Sequence, residues 1–228
     1  MDNEVYDEQE PESATENAEV SEVAASPPED PKTAAQSAVP LAMDWVRSAI
    51  NLLSFAHRSA VNWPPRDPMG RLALQVIRRH FHTDRLKGPM SEANAIQILR
   101  PRFEDIRRFL TAGDSIFVTA DDDTAAEKTR GYFGSEYTVA AYAYSRSEIA
   151  FTSQFPPLGP RCRAAVLIHQ LAHYIDSRVT DMTGSKGAAY DNLGFESALL
   201  NVHCYPNFAV NAFPPYVDER YGMLRPEE

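Results

Sequence analysis

The feature that most constrains the fold is one helix that is apolar on every face and still carries two histidines. From Arg163 to about Ser177 the sequence predicts this helix, with Ala, Val, Leu and Ile on all sides. A helix of that kind must be buried inside a domain. It contains His169-Gln170-Leu171-Ala172-His173, and histidines at i and i+4 lie one turn apart on one face. Both imidazoles can therefore reach a single metal ion, so the helix predicts a site as well as a core.

Residue 170 decides what such a metal site can do. In zinc peptidases a Glu follows the first histidine of the pair and acts as the general base. Gln170 keeps the shape of Glu and lacks its basic oxygen. The sequence is compatible with a natural Gln and with an engineered Glu→Gln replacement. In either case the pattern predicts a zinc site with impaired hydrolysis.

The third zinc ligand must come from downstream of the helix, since a catalytic zinc has three protein ligands and one open position. The acidic candidates are Asp176, Asp181, Asp191 and Glu196. Asp176 is seven residues past His169, roughly 10 Å along the axis, so it suits a capping or histidine-orienting role better. Asp181 follows the expected helix end and can turn back to the metal. Glu196 lies on the next helix, where some peptidases have their third ligand.

Three downstream segments carry a resemblance to a known family: Tyr190-Asp191-x-Leu193, Ala198-Leu199-x-Asn201 and Tyr205-x-x-Phe208-Ala209. They resemble the sequence that follows the zinc helix in the deuterolysin and lysine-specific metalloendopeptidase group, the aspzincins. Upstream, Glu148-Ile149-Ala150-Phe151 is similar to the strand before that helix. The resemblance covers about residues 138–213. It implies a zincin-like α+β fold, mostly helical with a small sheet ahead of the active-site helix.

The resemblance also implies roles for single residues. His169 and His173 would be two zinc ligands and Asp181 the third, with Asp176 and Asp191 as alternatives. Tyr190 would correspond to the oxyanion-stabilising tyrosine, and Gln170 stands at the position of the catalytic Glu.

The implied function is a zinc-dependent metalloendopeptidase that hydrolyses a peptide or protein substrate with a zinc-activated water, and in which Gln170→Glu restores hydrolysis. One alternative is an inactive pseudopeptidase that binds a protein. Another is a structural helical domain in which the two helix histidines are merely buried and hydrogen-bonded.

The remaining histidines and the cysteines predict no second site. His80 and His82, at i and i+2, should point to different helix faces, so we expect a charged helix end. His203 is expected to serve helix packing. Cys162 and Cys204 are expected to be two small buried thiols, although their spacing leaves a disulfide possible.

The charge is distributed unevenly along the 228-residue chain. Residues 1–38 contain eleven acidic residues and one basic residue, while the remaining residues balance at 21 of each sign. We expect a disordered acidic tail over 1–38, either simply solvated or binding a protein partner, and one domain over 39–228. No basic surface for nucleic acid, apolar span for a membrane or secretory signal is evident. The sequence thus predicts a cytoplasmic protein, or one exported by a leaderless route.

Hydrophobic periodicity and breaker residues predict the order of the elements. Helices are expected first, then a small sheet, then the buried helix and further short helices. The expected helices are Leu41–Arg58, Leu72–Phe81, one capped by Ser91 that Pro101 ends or kinks, Phe103–Leu110 and Leu193–Val202; the expected strands are Ser115–Thr119, Thr138–Tyr144 and Glu148–Thr152.

Overall fold

The computed structural model describes residues 29–62, 67–86, 91–123, 140–144 and 147–213. Within these ranges the protein is mostly helical with one small sheet, which confirms the α+β class. The helices are α1 (Pro31–Val61), α2 (Pro68–Phe81), α3 (Glu92–Thr111), α4 (Gly113–Ile116), α5 (Pro160–Ile175), α6 (Ala188–Asp191), α7 (Phe195–Leu200) and α8 (Cys204–Ala212), and the strands are β1 (Phe117–Thr119), β2 (Ala141–Tyr144) and β3 (Glu148–Phe151).

Helix α1 begins ten residues earlier than the periodicity predicts. Asp30 caps it by accepting a hydrogen bond from the backbone N–H of Thr33 at 2.9 Å, and Pro31 occupies the first turn. Residues 31–38, expected to be disordered, are therefore helical, and three alanines among them are buried: Ala34, Ala35 and Ala38. Small alanines pack closely without producing a strong apolar pattern, and for this reason the boundary was wrong.

Helix α3 begins where its cap predicts and continues where a break was expected. The Ser91 hydroxyl accepts from the N–H of Asn94 at 3.2 Å. The helix then passes through Pro101 and ends at Thr111. Leu99 and Phe103, on either side of the proline, are both fully buried. Tertiary packing of this apolar face offsets the hydrogen bond that proline removes.

The sheet lies directly before the buried helix in the chain and packs against it. Its order is β1-β3-β2, with β3 parallel to β1 and antiparallel to β2. The strands are shorter than expected, and residues 138–139 of the second predicted strand lie outside the described ranges. Helix α5 contacts β2 and β3 and also packs on α1, α3 and α8.

Helix α5 has the burial that its composition predicts. From Ala164 to Ile175 every residue is buried or half-buried. Helix α8 crosses it and places Tyr205 and Phe208 against Phe81 and Phe103, with ring centroids 5.3–5.6 Å apart for the pairs in contact. The two histidines of α5 are thus fixed to a rigid core.

None of the helices in the described part of the chain combines the length and apolarity that crossing a bilayer requires.

Candidate metal centre

The last two turns of α5 bring His169 and His173 together. Their ring centroids are 4.9 Å apart with the rings nearly perpendicular. The side chain of His169 is 19% exposed and that of His173 is 22% exposed. The pair therefore lies at the edge of the core, where solvent still reaches it.

A tight turn after α5 directs the chain back toward these histidines. Asp176 ends the helix, and its carboxylate accepts from the backbone N–H of Arg178 at 3.1 Å. The next residue, Val179, is buried, and its carbonyl lies 2.9 Å from Nδ1 of His173. A carbonyl only accepts, so His173 must carry its proton on Nδ1, which leaves the Nε2 lone pair free. A metal-binding histidine is usually held by a hydrogen bond of this kind.

A short parallel bridge then joins two distant segments. Thr180 donates its N–H to the carbonyl of Leu200 at 2.8 Å, and its own carbonyl accepts from Val202 at 3.0 Å. Asp181 is the residue after Thr180, and His203 lies two residues after Asn201, the other partner of the bridge. Both side chains consequently reach the end of α5.

Three imidazole nitrogens converge on the carboxylate of Asp181. Nε2 of His169 lies 3.5 Å from Oδ1, Nε2 of His203 lies 3.2 Å from Oδ1, and Nε2 of His173 lies 3.3 Å from Oδ2. The ligand atoms of His169, Asp181 and His203 all lie within 4.8 Å of one another.

These separations are compatible with a metal ion shared between the side chains. Charge-assisted N–H···O bonds are usually about 2.7–2.9 Å long. Ligands about 2.1 Å from a tetrahedral zinc are about 3.4 Å apart. The observed N···O distances of 3.2–3.5 Å, two to Oδ1 and one to Oδ2 of Asp181, are close to that value. The donor set, neutral imidazoles with one carboxylate, is also one that zinc prefers.

The ionisation of the cluster suits a cation. Burial, together with the neighbouring His173, lowers the pKa of His169 to about 3, so this imidazole is neutral at pH 7. Burial alone would raise the pKa of Asp181, but the three histidines around its carboxylate, His173, His203 and His169, lower it overall. A carboxylate anion and a free imidazole nitrogen are both ready to bind a metal.

Gln170 makes a different contact from the one its position in the motif predicts. It is 8% exposed, and its side-chain amide donates to the carbonyl of Ala141 on β2 at 3.1 Å. The amide thus ties the site helix to the sheet. A carboxylate at this position has no proton to donate to that carbonyl, so the amide has a structural use of its own.

The other acidic candidates lie elsewhere. Asp176 pairs with Arg102 and Arg178, each at 2.9 Å. Hydrogen bonding by Arg178 outweighs burial and lowers the pKa of Asp176 to about 2. Asp191 and Glu196 are exposed. Of the four candidates, Asp181 is the one whose carboxylate contacts both helix histidines.

Tyr190 lies in a second polar cluster, not against the first. Its hydroxyl is 2.9 Å from Nδ1 of His80, and its carbonyl is 3.2 Å from Nε2 of His82. Both of these histidines are 4% exposed, so the expected charged helix end is wrong. Helix α2 ends at Phe81 and His82 has a left-handed backbone with φ of 48°, so the helical i, i+2 geometry does not apply.

His203 is the site residue that the sequence did not predict. Its expected role was helix packing, yet its ring lies 5.0 Å from that of His169, centroid to centroid. No local sequence motif predicts this position of His203, because the bridge between Thr180 and Asn201 brings the residue to the cluster. Both cysteines are free thiols, as expected; Cys204 is buried as predicted, whereas Cys162 is exposed.

Comparison of the chain with protein-family models, with curated proteins and with solved structures finds no match.

Proposed function

We propose that this chain is a zinc-binding protein with a zincin-like metallopeptidase fold, in which His169, His173 and Asp181 hold the metal and hydrolysis is silenced at residue 170. It would act as a pseudopeptidase that binds a peptide or protein. The observation that carries the proposal is the approach of two helix imidazoles to one carboxylate at 3.3 and 3.5 Å.

The surroundings support the ligand assignment. The Nδ1 hydrogen bond of His173 to Val179 leaves Nε2 as the metal-binding atom. When bound, zinc would supply a Lewis acid that polarises a carbonyl and acidifies water. The resemblance to zinc peptidases agrees with the same three residues.

The contact of Gln170 supports the loss of hydrolysis. The general base of a zinc peptidase must accept a proton from water, and an amide has no such basicity. Here the amide is also committed to Ala141 of β2. In this chain residue 170 is therefore a donor to the sheet.

A second candidate is an active zinc endopeptidase. The exposure of the cluster favours it, because the Asp181 side chain is 38% exposed and water can enter. In that case a group other than Gln170 would have to accept the proton.

Metal analysis of the purified chain tests the proposal. We expect about one zinc per chain after exposure to zinc and dialysis. His169→Ala, His173→Ala and Asp181→Ala should each abolish retention of the metal. His57→Ala, a histidine on α1 that contacts Gln97, is the matched control and should retain it. A folded chain that binds no zinc, or a His169→Ala variant that binds it as tightly as the parent, would contradict the assignment.

A further inference from the structure

We infer that His203 is a fourth protein ligand, so that the metal centre is closed and holds the chain together instead of leaving a position for substrate. This inference rests on the proposed zinc centre and adds a residue that neither the metallopeptidase motif nor the resemblance assigns.

His203 is close enough to Asp181 to share a metal ion with it. Nε2 of His203 lies 3.2 Å from Oδ1 of Asp181, a shorter approach than that of either helix histidine. Its ring lies beside that of His169 at 5.0 Å between centroids, about the separation between His169 and His173. The ligand atoms of His169, Asp181 and His203 lie within 4.8 Å of one another, and Nε2 of His173 lies 3.3 Å from the other oxygen of Asp181. Three imidazoles thus surround one carboxylate, and a zinc ion among them would have four protein donors to draw on.

The backbone at His203 is also fixed on both sides. Val202 donates to Thr180 at 3.0 Å, and Cys204 donates to the carbonyl of Asn201 at 3.1 Å. Asn201 is fully buried, and its amide donates to the hydroxyl of Thr183 at 3.0 Å. The backbone that carries the imidazole is therefore held in place, so less freedom is lost when the side chain binds a metal.

With a fourth protein ligand the site would be structural and not catalytic. Zinc with four protein ligands is typical of structural sites, whereas catalytic sites keep one position open. The ion would join the end of α5, the turn at Asp181 and the start of α8. These three segments are close in space and far apart in sequence, so metal binding would add directly to folding stability.

Cobalt substitution separates a closed site from an open one. Co²⁺ is loaded into the metal-free full-length chain, and its visible spectrum is recorded before and after addition of azide, which binds an open coordination position. We expect the parent to show a tetrahedral spectrum that azide leaves unchanged. His203→Ala should respond to azide and bind cobalt at least roughly 10-fold more weakly. His57→Ala should behave as the parent does.

A second variant keeps the test decisive if His203→Ala folds poorly. His203→Cys offers a thiolate in place of the imidazole and should add a thiolate-to-cobalt absorption band. The parent should lack the band, because its own Cys204 is buried and its sulfur accepts a hydrogen bond from the side-chain amide of Asn201 at 3.6 Å.

The results separate a failure of the fourth ligand from a failure of the zinc centre. If azide shifts the parent spectrum as it shifts His203→Ala, or if His203→Cys gives no new band, the fourth ligand is wrong and the three-ligand centre stands. If the parent binds no cobalt at all, the proposed zinc centre is itself wrong.

Discussion

Replacing Gln170 by Glu should destabilise this protein without producing an efficient peptidase. The amide donates to the carbonyl of Ala141 at 3.1 Å from an 8% exposed position. An ionised Glu cannot donate, and it would bring its oxygens against the carbonyl oxygen. Leaving such a buried group unpaired costs about 1–3 kcal/mol.

The loss of folding free energy caused by Gln170→Glu has an upper limit and depends on pH. Holding Glu protonated at pH 7, so that it can still donate, costs about 4 kcal/mol from its usual pKa. The folded-state pKa of Glu at residue 170 would then be raised. The free energy of unfolding lost to the substitution should therefore be largest at neutral pH and shrink as the pH falls toward 5.

Urea unfolding of the metal-free chain at pH 7.5 and 5.5 measures this difference, with Gln97→Glu as the matched control. Gln97 is exposed on α3, so its replacement should change stability by no more than about 0.5 kcal/mol. Hydrolysis of a peptide library is measured in parallel on the zinc-loaded proteins. We expect a chelator-sensitive gain of less than about 10-fold.

The opposite result would refute the reasoning. A general base contributes roughly 10²–10⁴-fold to such reactions. If Gln170→Glu is as stable as the parent and gains hydrolysis of that size, residue 170 faces the metal and not the sheet. The interpretation of the sequence as an active metallopeptidase would then be correct, and the donor contact of residue 170 with the sheet would not be needed for stability.

Two further perturbations test the fold. Deleting residues 1–28 should change the free energy of unfolding by no more than about 0.5 kcal/mol, since that acidic segment is poor in apolar residues. Deleting residues 1–38 should lower it by roughly 1–3 kcal/mol, because the Asp30 cap and three buried alanines are lost. Equal melting temperatures for the two truncated proteins would contradict the packing of the first turns of α1. Lowering the pH should destabilise the protein through His80, because burial lowers the pKa of His80 to about 3. Below pH 6.5 the unfolded chain binds a proton at this histidine and the folded chain does not. The stability that neutral His80 contributes is complete above pH 6.5 and falls by about 1.4 kcal/mol per pH unit as the pH decreases toward 3. In urea titrations, His80→Gln should flatten the pH dependence of the free energy of unfolding and His57→Gln should not. Parallel pH curves for the parent and both variants would refute this role of His80.

The parts of the site that are local in sequence could be predicted. His169 and His173 are four residues apart on an apolar helix, and helical geometry alone places them together. The Ser91 cap and the buried character of α5 follow from equally local signals, and the structure agrees with both. Asp181 needed the resemblance, because the turn that returns it to the helix depends on Asp176 and Arg178.

The parts that depend on long-range contacts could not be predicted. His203 reaches the cluster through a bridge between Thr180 and Asn201, residues whose pairing no pattern encodes. His80 follows two arginines, which suggested a solvated helix end, yet Tyr190 and Asn211 both hydrogen-bond it in the interior. Tertiary context overrode local composition at both histidines.

Anomalous diffraction at the zinc edge, on crystals of the zinc-loaded full-length chain, tests the central claim most directly. We expect one strong peak about 2.0–2.2 Å from Nε2 of His169, Nε2 of His173 and a carboxylate oxygen of Asp181. Absence of a peak at the end of α5 in zinc-saturated crystals, or a peak bound only by other residues, would contradict the metal centre on which the proposed function depends.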